Sequence, residues 1–183
     1  MSEKMLVCHC SPTLAGLKTG SLFSCPYSSQ KMIIKEIREF NQKLTQKGIR
    51  IIPVRISDKR MLVYVYRPEK LKEDFSDEKT QIILKCKGYD CTNLSQCICR
   101  LIQKLQSDPD FPHEIGLFLG YPAEDVKGFI ENKAACSKCS GCWKVYGDEQ
   151  AARILFKKYK KCTEIYCRRW KSGVAVEQLT ITI

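Results

Sequence analysis

Residues 49–66, IRIIPVRISDKRMLVYVY, decide the fold class of this chain. Two stretches rich in Ile, Val and Tyr, 49–56 and 60–66, are separated by Ser-Asp-Lys at 57–59. β-branched and aromatic residues favour strands, and a short polar segment between two such runs favours a turn. The sequence therefore predicts an antiparallel hairpin, so the chain contains a β-sheet.

Helical patterns flank this hairpin on both sides. Apolar residues recur at three- and four-residue spacing from Ser29 to Lys47, and Gly48 then ends the pattern. Similar patterns predict helices at 78–87, 93–106 and 122–131, and from Asp148 to about Trp170. Strands and helices do not alternate in the regular βαβ rhythm of a doubly wound sheet. The sequence predicts a mixed α/β (α+β) fold, in which a small mixed sheet packs with helices in a single domain, 1–183.

The remaining elements are predicted from shorter signals. Ser11-Pro12 is typical of a helix start, which places Cys10 just before a helix N-terminus. Short apolar runs predict strands at 115–119, 142–146 and 174–183, and residues 67–78 are interpreted as a connection.

Composition excludes several classes of protein. Hydrophobic residues make up 44% and charged residues 28% of the 183 residues, which excludes a disordered or fibrous chain. No apolar run is long enough to span a bilayer, and the first residues lack the apolar core of a secretory signal. We therefore expect a cytoplasmic protein with no membrane partner. In a reducing cytosol its 12 cysteines should be mostly thiols and should not form a disulfide framework.

Three blocks of sequence resemble a known family. They are HCSPTLAGLKTGSLF (9–23), FPHEIGLFLGYPAEDVKGFIEN (111–132) and GCWKVYGD (141–148). Together they are similar to an uncharacterised bacterial family filed as "domain of unknown function 3793", along the whole chain. The resemblance implies a single-domain protein of anaerobic bacteria and implies no activity.

A cysteine–histidine thiol site is the first functional hypothesis. A helix N-terminus and a nearby histidine both lower a thiol pKa, and Cys10 with His113 would supply the pair in a papain-like order along the chain. Lys18, about two helical turns from Cys10, would favour the thiolate further. Asp125 or Asn132 could orient the imidazole. Such a site would suit acyl transfer or hydrolysis.

A metal centre is the second hypothesis. The spacing Cys136-x2-Cys139-x2-Cys142 lets consecutive thiolates face one centre, and Cys162 or Cys167 could complete the set. Soft thiolates select zinc or an iron–sulfur cluster as the cofactor. The fourth cysteine of the ferredoxin pattern and a second CxxC pair are both missing from the sequence.

A binding module for a small molecule or a protein is the third hypothesis. Arg67 and Lys18 could hold an anion beside aromatic residues, although aromatic strand residues more often belong to the core. The aromatic residues concerned are Tyr64, Tyr66, Tyr121, Trp143 and Tyr146. The formal charge of +11 concentrates in a basic stripe, 153–171, which could attract nucleic acid. No nucleic-acid motif accompanies the stripe, so we interpret it as a solvated helix face.

Overall fold

The computed structural model describes residues 1–107 and 110–182, and helices predominate in it. The helices are α1 (Glu3–Leu14), α2 (Gln30–Leu44), α3 (Pro68–Ser76), α4 (Glu78–Cys86), α5 (Leu94–Ser107), α6 (Ile115–Phe118), α7 (Ala123–Asn132), α8 (Glu149–Lys171) and α9 (Val176–Leu179). The strands are β1 (Gly20–Pro26), β2 (Arg50–Ile56), β3 (Arg60–Tyr66), β4 (Cys139–Ser140) and β5 (Lys144–Val145). The strands form two small antiparallel sheets, so the prediction of a mixed α/β fold is confirmed.

The chain divides into two compact units. The first comprises Met1–Glu69 together with the chain from Tyr159 onward, and the second comprises Lys70–Lys158. The single domain 1–183 stays a prediction.

The predicted hairpin forms the sheet of the first unit. Strand β3 is central, and it pairs antiparallel with β1 on one side and with β2 on the other. The register of β2 shifts between Pro53 and Arg55. Proline has no N–H to donate to a ladder, so an edge strand with an irregular register is where Pro53 can be accommodated.

Helix α1 begins earlier than predicted, and the helix start at Ser11-Pro12 is wrong. Both residues lie inside α1, and Cys10 lies on its buried face with Leu6, Val7 and Leu14. Proline inside a helix costs about 3 kcal/mol, whereas each fully buried Leu or Val contributes about 1.5–3 kcal/mol. Packing of this face against the sheet therefore outweighs the cost of the proline.

Other short elements also differ from prediction. Residues Ile115–Phe118 form helix α6 where a strand was expected, and Val176–Leu179 form helix α9 in place of the final strand. Position 183 of that predicted strand lies outside the described residues. Residues 67–78, interpreted as a connection, contain α3. Periodicity cannot distinguish a strand from a helix in apolar runs of four or five residues.

Candidate functional site

The second unit contains a buried ion pair at the start of α6. Glu114 is 3% exposed, and its Oε1 atom accepts hydrogen bonds from Lys104 Nζ at 2.8 Å and from the Tyr89 hydroxyl at 3.1 Å. Lys104 Nζ also donates to the carbonyl oxygen of Lys87 at 2.8 Å. These bonds join the ends of α4 and α5 to the segment that precedes α6.

The contacts of Glu114 and Tyr89 determine which of these two side chains carries a proton. Burial alone would raise the pKa of Glu114, but the hydrogen bond and charge of Lys104 hold it below the ordinary value of a glutamate. Burial, together with the adjacent negative charge of Glu114, raises the pKa of the Tyr89 hydroxyl. At neutral pH the carboxylate is therefore ionised, and the tyrosine keeps the proton that it donates.

A cavity of about 750 Å³ lies beside this ion pair. The exposed His113 lines this cavity, and its ring meets the ring of Phe129 in an edge-to-face arrangement, with the two centroids 4.9 Å apart. Three lysines face the cavity against two carboxylates, one of which is the paired Glu114. The lining consists of Lys87, Lys104, Asp110, Phe111, Pro112, His113, Glu114, Phe129, Ile130 and Lys133. We refer to this space as the His113 cavity.

A second cavity, of about 570 Å³, lies where α4 and α7 pack together. The exposed area of its lining is mostly apolar, and Ile82, Ile83 and Ile130 contribute to it with Ala123. The lining also includes charged residues of both signs, which are Lys79, Lys87, Lys127, Glu124 and Glu131. Ile82 is 56% exposed, although isoleucine is a residue that folding usually buries. Lys87 and Ile130 line both cavities. We refer to this second space as the α4–α7 cavity.

Asp125 connects α7 to the small sheet of the same unit. Its Oδ2 atom accepts a hydrogen bond from Trp143 Nε1 at 2.6 Å, and Oδ1 accepts from the backbone N–H groups of Tyr146 and Gly147 at 2.7 and 2.8 Å. A Cβ atom at Gly128 would overlap the ring of Tyr146, so a glycine in α7 permits this close approach. The network holds the residues around β5 against α7.

Cys10 lies in a buried core, whereas the sequence predicted a position at a helix N-terminus that would lower the pKa of its thiol. It lies in the last half of α1, it is fully buried in the core of the first unit, and burial raises the pKa of its thiol to about 12. The positive charge of Lys18 and a hydrogen bond with Ser21 lower this pKa, but by less than burial raises it. Lys18 thus acts in the predicted direction, and the predicted low-pKa thiol at a helix N-terminus is wrong.

His113 belongs to the second unit, whereas Cys10 belongs to the first. The imidazole precedes helix α6 instead of opening a strand. The two predicted orienting residues are engaged elsewhere, since Asp125 holds Trp143, and Asn132 donates its amide to the carbonyl oxygen of Gly128 at 2.8 Å. Sequence reasoning missed the lysines around His113 because three separate segments, spread over residues 87–133, contribute them.

The predicted metal ligands lie at separate places in the chain. Cys136 and Cys142 are exposed, Cys139 lies in β4, and Cys162 is buried in the first unit, where burial raises its pKa to about 11. Within residues 1–107 and 110–182, no three histidine, cysteine or acidic side chains come together in a group that could hold a metal ion. The zinc or iron–sulfur centre therefore gains no support from the geometry.

Three of the five aromatic residues of the predicted pocket are packed side chains, whereas Tyr121 and Tyr146 are partly exposed. Tyr64 and Tyr66 stack on each other in β3 and are both buried, as is Trp143. Arg67 is 2% exposed, and its guanidinium donates to main-chain carbonyl groups of the first unit. The interpretation of strand aromatics as core is therefore confirmed for these three rings.

The basic residues of the stripe at 153–171 are exposed along α8, in agreement with a solvated helix face. They are Arg153, Lys157, Lys158, Lys160, Lys161, Arg168, Arg169 and Lys171. Among the residues that the structure describes, no helix has the length and apolar character that crossing a membrane requires.

A family model described as "Protein of unknown function (DUF3793)" matches residues 6–180. The chain belongs to this family. The resemblance seen in the three sequence blocks is therefore confirmed. No curated protein and no solved structure matches the chain. The description of the DUF3793 family names no activity, so the cavities and side chains described above are the basis for a function.

Proposed function

We propose that this DUF3793 protein binds an amphipathic organic anion across the His113 cavity and the α4–α7 cavity. The observation that carries this proposal is that two neighbouring cavities share Lys87 and Ile130, one with a more polar lining that includes three lysines and one whose exposed lining area is mostly apolar. In the second cavity Glu124 and Glu131 offset the charge of two of its three lysines. A ligand with a carboxylate at one end and an apolar body at the other would match both linings.

Charge in the His113 cavity favours an anionic group. Glu114 is already paired with Lys104, so its negative charge is offset within the protein. Lys87 and Lys133 then face the cavity against the single carboxylate of Asp110. A carboxylate near these ammonium groups would accept charge-assisted hydrogen bonds, which are stronger than bonds between neutral groups. The exposed Phe111 and the ring of Phe129 offer apolar contact beside that carboxylate.

The volume of each cavity suits a small molecule. Ligand pockets commonly measure about 300–1,000 Å³ and combine apolar walls with a few polar groups. The His113 cavity and the α4–α7 cavity both fall within that range. Burying an apolar body against Ile82, Ile83 and Ile130 would remove their exposed surface from water and contribute about 25 cal/mol per Å².

Buried Cys10 argues against the reaction proposed from sequence. A thiol that deprotonates near pH 12 carries almost no thiolate at neutral pH, and the thiolate is the nucleophile. The binding proposal requires no chemistry at this residue.

Isothermal titration calorimetry with 4-phenylbutyrate tests the proposal. This probe joins a carboxylate to an apolar ring, and the neutral 4-phenylbutanamide and the small anion acetate each lack one part. We expect saturable binding of 4-phenylbutyrate and binding at least about tenfold weaker for both comparison compounds, which corresponds to a loss of about 1.4 kcal/mol or more. Equal binding of the amide, or no saturable binding of 4-phenylbutyrate, would contradict the proposal.

Variants locate the binding. Lys133→Met should weaken binding of 4-phenylbutyrate by roughly 3- to 10-fold, as expected for one partly solvated ion pair. Ile82→Gln should weaken it by removing apolar contact in the other cavity. The matched control is Lys72→Met, because Lys72 is an exposed lysine of the same unit that lines neither cavity. An equal effect of Lys72→Met and Lys133→Met would show that overall charge, not the site, governs binding.

A further inference from the structure

Two thiols from opposite ends of the chain meet in the first unit. The Sγ atoms of Cys8 on α1 and Cys167 on α8 lie 3.8 Å apart, although 159 positions separate the two residues. Cys8 is exposed and Cys167 is partly exposed, so small molecules in solution can reach the pair. An established disulfide has an S–S distance of about 2.05 Å, so the two sulfurs need to approach by less than 2 Å.

The packing around the pair keeps the two sulfurs close. The indole Nε1 atom of Trp170 donates to the carboxylate of Glu3 at 3.3 Å, which joins the same two helices one turn away from Cys167. Tyr166 and Trp170 pack against the core of the unit, as does Met5 of α1. The sulfurs are therefore held near each other by contacts that do not depend on a covalent bond.

Charge near the pair favours a negatively charged reagent. Lys171 lies one turn after Cys167 on α8 and its positive charge lowers the pKa of that thiol, and the exposed Lys4 lies one turn before Cys8 on α1. Two carboxylates are also close along these helices, since Glu164 lies one turn before Cys167 and Glu3 accepts the bond from Trp170. With the exposed Arg168 and Arg169, positive charge exceeds negative charge in this region. Oxidised glutathione is an anionic disulfide, so such a group of cations would raise its local concentration.

We propose that Cys8 and Cys167 form a reversible disulfide on reaction with an anionic low-molecular-weight disulfide such as oxidised glutathione. Cys8 gives its proton to solvent, and its thiolate attacks one sulfur of the reagent. The reagent's S–S bond breaks, one glutathione thiolate leaves and takes up a proton, and Cys8 carries a mixed disulfide.

The second exchange closes the protein disulfide. Cys167 loses its proton and attacks the sulfur of Cys8, and the second glutathione leaves as a thiol. In sum, two protein thiols are oxidised to one disulfide, and one glutathione disulfide is reduced to two thiols. Burial, and then the neighbouring Cys8, raises the pKa of the Cys167 thiol, so the reaction should quicken as the pH rises above neutrality.

The structure contains its own comparison pair. The thiols of Cys91 and Cys97 are also in hydrogen-bond contact, but Cys97 is buried. Its sulfur donates to the carbonyl oxygen of Asp90 at 2.9 Å, and burial raises its pKa to about 11. Proximity alone would allow both pairs to oxidise, whereas accessibility favours the pair Cys8–Cys167.

Peptide mapping tests the proposal. The full chain is treated with oxidised glutathione, remaining thiols are blocked with N-ethylmaleimide, and the digest is analysed by mass spectrometry without reduction. We expect a cross-linked peptide joining Cys8 and Cys167 to form before any Cys91–Cys97 link and to disappear with dithiothreitol. Separate glutathione or maleimide adducts on Cys8 and Cys167, without the cross-link, would overturn the proposal.

Two variants and a thermal measurement complete the test. Cys8→Ser, at an exposed position, should abolish the cross-link, whereas Cys99→Ser, at another exposed cysteine, should leave it unchanged. Because the link closes a very long loop, oxidation should raise the Tm of the wild-type chain by roughly 5 °C or more and leave that of Cys8→Ser unchanged. Equal Tm shifts in both proteins would overturn the proposal.

The dependence of the cross-linking rate on ionic strength tests the preference for an anionic reagent. Raising the ionic strength should slow cross-linking by oxidised glutathione and quicken cross-linking by cystamine, a cationic disulfide, because salt screens attraction and repulsion alike. Salt effects of the same sign for both reagents would contradict the preference for an anion.

Discussion

The guanidinium group of Arg67 donates a hydrogen bond of 2.7 Å to the carbonyl oxygen of Leu14, the last residue of α1. The same group donates to the carbonyl oxygens of Thr13, Lys47 and Ile181 at 2.7, 3.0 and 2.9 Å. One buried side chain thus satisfies carbonyl groups from three separate segments of the first unit. Helix ends leave such carbonyls without intrahelical donors, and burying them unpaired is costly.

Replacing Arg67 should strongly destabilise the protein. In Arg67→Met the carbonyl groups of Thr13 and Leu14 keep backbone donors, whereas those of Lys47 and Ile181 lose the guanidinium that donates to them. Each polar group left unpaired in a buried setting costs about 1–3 kcal/mol, so we expect the free energy of unfolding to fall by about 2 kcal/mol or more, measured by urea denaturation. Arg67→Lys should recover little of this loss, because a lysine lacks the planar fork that reaches several acceptors.

An exposed arginine of the same unit is the control for this prediction. Arg50 donates to the hydroxyl of Thr45 at the surface, so Arg50→Met should change stability by less than about 0.5 kcal/mol. A similar small effect for Arg67→Met would mean that the buried contacts contribute little.

Asp125 should be intolerant of the isosteric change to asparagine. All three of its partners are N–H donors, and an asparagine side chain presents an NH₂ group to at least one of them. Asp125→Asn should lower the free energy of unfolding by about 2–4 kcal/mol. Hydrogen exchange of the Trp143 indole N–H, followed by NMR, should accelerate in parallel; unchanged exchange and stability would refute the network.

Tyr146 should tolerate the loss of its hydroxyl group. Among the described residues, this hydroxyl oxygen is the buried side-chain polar atom without a hydrogen-bond partner. Removing an unsatisfied buried group removes its desolvation cost, so Tyr146→Phe should stabilise the protein by about 0.5–2 kcal/mol. Thermal unfolding measures this effect, and a lower Tm for the variant would indicate a partner for the hydroxyl.

The sequence was informative about the long elements and misleading about the short ones. The hairpin at 49–66 and the helices that begin at Ser29, Glu78 and Asp148 carry periodic patterns over many residues, and the structure has elements at these places. Ser11-Pro12 carries a strong local helix-start signal, but burial of the preceding turns of α1 overrides it. Local propensity is decisive only where tertiary packing does not oppose it.

The candidate site could not be predicted from the sequence, because its residues come from separate segments of the chain. His113 was singled out because the chain has two histidines, but its neighbours Lys87 and Lys133 come from the ends of α4 and α7. The same applies to Cys8 and Cys167, whose contact depends on the packing of α1 against α8. No spacing along the chain encodes such a meeting, since it requires the tertiary arrangement.

Cys10 should resist alkylation in the folded protein. With a thiol pKa of about 12 and no exposed surface, it should remain unlabelled by iodoacetamide at neutral pH, whereas the exposed Cys86, Cys99 and Cys136 react. Mass spectrometry of the labelled chain identifies the sites. Early labelling of Cys10 would restore the thiol-site hypothesis.

The raised pKa of the Cys10 thiol predicts that the protein loses stability at alkaline pH. Its folded-state pKa lies above the unfolded value of 9.0, so its contribution is fully present below pH 9 and is lost as the pH rises towards 12. Cys10→Ala should lower stability at neutral pH but reduce this alkaline dependence. An alkaline slope identical to that of the wild type would show that Cys10 does not titrate in this range.

The binding proposal is tested most directly by NMR of isoleucine methyl groups during titration with 4-phenylbutyrate. Ile130 lines both cavities, and Ile82 and Ile83 line the apolar one, whereas Ile33 and Ile37 lie in the core of the first unit. We predict saturable shifts of the Ile82, Ile83 and Ile130 methyl resonances with one common Kd, and no shift for Ile33 or Ile37. Unmoved Ile130 methyls at saturating probe, or shifts of equal size in both units, would contradict the account.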